Sequence, residues 1–167
     1  QSKNETEIEV RNIPLSLDKG RMAFLSISIS FAGNKLKRKP DDVIFIVAVV
    51  NAKGHRFADI NKVALTSGSS DIGQITLLNL DQREFSPTEI LETIGTRMKM
   101  DVFHKVAASK QAISFKIEET TLTIEPANIS KLTEFEKAIT PLPGECCHQS
   151  GRSAQNHTCI TVFVLKN

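Results

Sequence analysis

Hydrophobic and polar positions alternate along most of this chain. The clearest run is Leu25, Ile27, Ile29 and Phe31 against Ser26, Ser28 and Ser30. That period of two predicts a strand in an antiparallel sheet with one greasy face and one solvated face. Upstream, Ile8 and Val10 alternate with Glu7 and Glu9 and predict a first strand, closed at Ile13 and Pro14. Residues 43–50 are almost continuously apolar, which predicts a central strand buried on both faces. A short edge strand is expected around 62–65, and another strand carries Ile75, Leu77 and Leu78. Ser86-Pro87-Thr88-Glu89 has the form of a helix capping box, but Gly95 and the alternation of Thr96, Met98 and Met100 favour a strand over 90–99.

Residues 100–139 read as helix, hairpin, helix. Asp101 suits a helix N-cap, and Val102, Phe103, Val106 and Ala107 fall on one helical face. Ile113, Phe115 and Ile117, then Leu122 and Ile124, alternate with polar residues around a turn at 118–120. Pro126 opens a second helix whose stripe is Ile129, Leu132, Phe135 and Ile139. Neither helix is long enough to stand alone, so both must lie on the hairpin and bury Phe103, Phe115 and Phe135 together. The expected fold is α+β and mostly β: an antiparallel, β-sandwich-like sheet with a helix-hairpin-helix unit of two short helices. One domain is expected, with a β-rich half (1–83), a strand-helix-hairpin-helix part (84–140) and a tail (141–167) ending in a strand that carries Ile160, Val162, Val164 and Leu165.

The second half resembles a group of uncharacterised secreted bacterial proteins. The matching positions are Asp101, Phe103, Val106, Ala107 and Ala108, then the hairpin positions named above, then Ile129, Leu132 and Phe135. The apolar run at 43–50 resembles the central strand of the same group, so the likeness extends over about Ser26 to Ile139. It is a likeness of apolar positions. It implies a mature region that follows an export signal, hence a secreted or periplasmic location, and no activity.

Composition narrows the function classes. A net charge of +2 is too small to argue for nucleic acid, and there is no Trp or Tyr to stack a sugar or a base. No apolar run reaches the length of a transmembrane helix. The chain starts at Gln1 without an apolar leader, which fits an exported protein whose signal peptide has been removed and equally a trimmed fragment. Lys35, Lys37, Arg38 and Lys39 invite a reading as an anion-binding patch, but a solvated loop balanced by Asp41 and Asp42 is favoured. His55, just past a turn at Ala52-Lys53-Gly54, reads as a surface residue, and His104 as a solvent-facing helical one.

The unusual chemistry lies in the tail. Cys146, Cys147, His148, His157 and Cys159 cluster there, in the pattern C-x-H-x8-H-x-C. A disulfide from Cys147 (or Cys146) to Cys159 is the favoured reading. It would close a loop of about a dozen residues, worth roughly 3 kcal/mol in the entropic account. The alternative is a zinc site formed by Cys146, His148, His157 and Cys159, with ligands at about 2.0–2.3 Å. No nucleophile with an orienting acid, no paired catalytic carboxylates and no phosphate loop stand out. The expectation is an exported, non-enzymatic binding or structural domain without a cofactor, acting on an unidentified protein or surface partner. A zinc or thiol-redox protein is the alternative.

Overall fold

Eight antiparallel strands close into a barrel. The computed structural model of the protein describes residues 5–18, 22–33 and 35–141. The elements are β1 (Glu5–Leu17), β2 (Met22–Ala32), β3 (Asp42–Ala52), β4 (Ile60–Ser67), β5 (Ser70–Ser86), β6 (Glu89–Lys99), α1 (Met100–Ala107), β7 (Ile113–Ile117), β8 (Thr120–Ile124) and α2 (Pro126–Ala138). Around the barrel the order is β1-β2-β3-β6-β5-β4-β7-β8. Ser16 and Leu17 of β1 pair with Thr123 and Leu122 of β8 and complete the ring. The expected class is present: a mostly β, antiparallel fold with two short helices. Its sheet, however, is rolled into a single closed layer rather than a sandwich.

The alternating pattern aims one face of each strand at the axis. Ile13, Leu25, Ile27, Val43, Phe45, Val47, Leu65, Leu77 and Ile94 are all fully buried. Phe45 and Phe115 meet edge to face across the interior, with ring centroids 6.1 Å apart. An eight-stranded barrel is just wide enough for side chains to fill, and each buried Phe contributes about 1.5–3 kcal/mol.

The order of strands explains how the ends are closed. β3 does not pair with β4, and β6 does not pair with β7. Each of these two connections must therefore cross a mouth of the barrel. The β6–β7 connection carries α1, which runs straight on from β6 with Lys99 at the N-cap position. Asp101, expected as the cap, instead sits in the first turn, where its charge faces the positive end of the helix. Phe103 of α1 meets Phe135 of α2 at 5.8 Å, edge to face, so two of the three expected rings pack together while Phe115 turns to Phe45. The β3–β4 connection, residues 53–59, crosses the opposite mouth and inserts Phe57, which is 1% exposed.

Several expectations change in the closed ring. β1 continues through Ile13 and Pro14, because a bulge after Val10, with Asn12 at φ 57, restores the register. β3 alternates: Val43, Phe45, Val47 and Val49 face inward, while Ile44, Ile46 and Ala48 are half-buried on the outside. β4 is no edge strand, since β5 and β7 flank it. Residues 86–89 form a hairpin turn into β6, in which Ser86 Oγ donates to Glu89 Oε2 at 2.8 Å. The serine face of β2 is wet at Ser30, half-covered at Ser26 and buried at Ser28.

Candidate functional site

With its interior filled and both mouths crossed, the barrel offers a ligand its outer surface. Two places gather polar groups: the plugged mouth and a groove beside β2.

At the plugged mouth stands Glu92, wholly buried in phase with the inward residues Ile90 and Ile94 of β6. Its carboxylate accepts from Asn51 Nδ2 (2.8 Å) and from the backbone N–H of Phe57 (2.7 Å). His55 Nδ1 lies 2.6 Å from Oε2, a distance that puts a proton between them. The His55 ring also stands edge-on to Phe57, with centroids 4.7 Å apart. Further bonds hold the plug from outside. Glu118 accepts from the N–H of Ala58 (2.7 Å), Asn79 donates to the carbonyl of Phe57 (3.2 Å), and Gln82 donates to the carbonyl of His55 (2.9 Å). Glu118 adopts φ 51 at the β7–β8 turn, a conformation that costs a non-glycine residue about 1–2 kcal/mol. These bonds together anchor residues 53–59. His55 is thus half-buried on a carboxylate, not the free surface residue expected. Glu92 was foreseen by no motif; the available signal was a charged residue in register with the apolar face of its strand.

The groove arises where two ladders end at different points. β1 pairs with β2 out to Ala32, but the β2–β3 ladder stops at Ser28 opposite Ile44. Residues 29–32 therefore have β1 on one side and a pocket of about 640 Å³ on the other. The segment 35–41 forms the far wall, with Leu36 and Pro40 half-buried in it. Lys35, Lys37, Arg38 and Arg97 line the same pocket.

The charges are not balanced as the local sequence suggested. Asp42 pairs with Arg97 (3.3 Å), and Lys39 approaches Glu136 on α2 (4.0 Å), which also takes His104 Nδ1 at 2.7 Å. Asp41 also lines the pocket, and its carbonyl accepts from the N–H of Met100. Among the described residues, Lys37 and Arg38 have no carboxylate partner. The pocket thus combines an open strand edge, an apolar wall and excess positive charge.

No protein-family model, curated protein or solved structure matches this chain.

Cys146, Cys147, His148, His157 and Cys159, with both the disulfide and the zinc reading, lie outside the described residues, as does the expected terminal strand. Among the described residues no group of three His, Cys, Asp or Glu side chains is placed to hold a metal ion. His104 is exposed on α1, as expected, but hydrogen-bonded to Glu136. No helix among the described residues is long and apolar enough to cross a membrane.

Proposed function

We propose that this chain is an exported, non-enzymatic binding domain that receives an anionic ligand in the groove beside β2. The observation that carries the reading is the pair Lys37 and Arg38, which have no carboxylate partner among the described residues and line a pocket flanked by a strand edge that no described strand pairs with. A rigid ring of strands is a suitable frame for such a site, because its backbone does not have to be ordered on binding. The non-enzymatic part is supported by how the histidines are used. Among the described residues both have carboxylate partners, and neither is bonded to a hydroxyl that could act as a nucleophile. Export is supported by the resemblance to secreted bacterial proteins.

The test is a ¹⁵N NMR titration with citrate as a small polycarboxylate and spermine as a cationic control. Citrate is expected to shift the amides of residues 28–32, 35–39, 41, 42 and 97 and to lose that effect in K37E/R38E. Absence of shifts at millimolar citrate, or equal shifts in the charge-reversed variant, overturns the reading.

A further inference from the structure

We infer that the occupant of this groove is an extended acidic peptide segment of a partner protein, which adds to β2 as a short ninth strand. This rests on the groove being the binding surface and goes beyond it by naming the class of ligand and the mode of contact.

The first observation is the backbone edge. Residues 29–32 of β2 are extended and paired with β1, so alternate residues turn their N–H and C=O groups to the opposite side. Among the described residues, no backbone hydrogen bond joins that side to the segment 35–41. Other stretches of the described ring also lack a ladder on one side, as in β1 before Ser16 and in β5 beyond Leu78, but neither is among the residues that line this basic pocket. Here the edge persists over four residues, a span of roughly 14 Å at strand rise, enough for a tetrapeptide to form a ladder. The pocket beside it, about 640 Å³, is lined by Ser28 to Ala32 of this edge and by residues of the segment 35–42.

The second observation is the charge. An added strand would lie between β2 and the segment 35–41, with Lys37 and Arg38 on the far wall. A guanidinium binds a carboxylate through two parallel hydrogen bonds, so Arg38 selects Asp or Glu over a neutral residue. Asp41 opposes an anion, while Arg97 is held by Asp42, so the selection falls on Lys37 and Arg38. Leu36 and Pro40 offer apolar contact to the intervening side chains. Strand addition supplies affinity through the main chain, and the flanking side chains supply the preference. The ligand is therefore an acidic residue alternating with an apolar one, in a segment free to become extended.

The probe is an eight-residue peptide in which Glu alternates with Val, labelled for fluorescence anisotropy. It is compared with the same peptide N-methylated at alternate residues and with a Lys-for-Glu version. Sedimentation velocity of the unliganded protein accompanies the titrations. The Glu peptide is expected to bind a monomer and to slow hydrogen exchange in residues 29–32. Its dissociation constant should rise at least about tenfold in K37E/R38E, and as much on N-methylation, since one or two charged or backbone hydrogen bonds are lost in each case. Equal binding of the N-methylated peptide overturns strand addition but leaves the anionic groove intact. Citrate shifts without peptide binding have the same meaning. Failure of both citrate and peptide removes the groove as a site. A dimer formed through this edge overturns the inference by making a second copy the occupant.

Discussion

Replacing Glu92 by Ala should unfold the protein more readily than any change at the surface. In the native state the carboxylate accepts from Asn51 Nδ2 at 2.8 Å, the Phe57 N–H at 2.7 Å and His55 Nδ1 at 2.6 Å. Asn51 is 6% exposed and Phe57 1%, so two of these donors lose their partner where water does not reach. His55 is about one-third exposed and can turn to solvent. An orphaned buried donor costs about 1–3 kcal/mol, and removing one member of a buried charged network costs about 3–5 kcal/mol. The expected loss for E92A is therefore about 3–5 kcal/mol, set against a total stability of about 5–15 kcal/mol for a domain. E92Q should lose less, about 1–3 kcal/mol, because Asn51 can rotate its amide and present its oxygen to the new NH₂. The assay is urea unfolding followed by far-UV circular dichroism, since the chain has neither Trp nor Tyr to report by fluorescence. The midpoint should fall while the slope stays unchanged, the mark of a stability effect without a change in exposed surface. Amide exchange at Phe57 and Ala58 should accelerate more than exchange in β2 or β3, as expected if the plug opens locally first. If E92A lies within about 0.5 kcal/mol of the parent, the carboxylate does not anchor the plug, and the account of this mouth is wrong.

Other outcomes follow from single residues. Phe57→Ala empties the mouth that residues 53–59 close and should cost about 3–5 kcal/mol by urea unfolding. Gly95→Ala should cost about 1–3 kcal/mol, because the added Cβ would lie 2.9 Å from the Phe45 carbonyl oxygen, a backbone atom that cannot yield. Lys53 donates to Glu84 at 2.9 Å, and that hydrogen bond, with the charge behind it, holds the Glu84 carboxyl below its ordinary pKa. The sign follows: the contribution is present above the ordinary carboxyl pKa and is lost as pH falls through the lowered one. Glu84 is fully solvated, so E84Q should leave the urea midpoint unchanged at neutral pH, while an NMR titration of Glu84 places its carboxyl below the free-residue value.

The amino-acid pattern alone determined the class of fold, because burial of a strand or helix face leaves a period of two or of about 3.6 wherever it occurs. The strand through Leu25 to Phe31, the hairpin at 113–124 and the stripe from Ile129 to Ile139 stand where the pattern placed them, although Ser28 on the outer face of β2 is buried. The strand at 89–99 was legible from Gly95 and its neighbours despite a cap-like turn before it. What the pattern could not carry was any contact between distant positions. Alternation states which side chains face inward, yet it is the same for an open sandwich and a closed ring. Closure rests on Ser16 and Leu17 meeting Thr123 and Leu122, more than a hundred residues away. The role of His55 was hidden for the same reason, since its partner Glu92 stands on β6, which pairs with β3 although β4 and β5 lie between them in sequence. In the groove, Lys35 to Lys39 were visible as a basic run, and nearby Asp41 and Asp42 suggested balance. Only the folded ring sends Asp42 to Arg97 and Lys39 towards Glu136, because electrostatic pairing follows distance in space rather than distance along the chain.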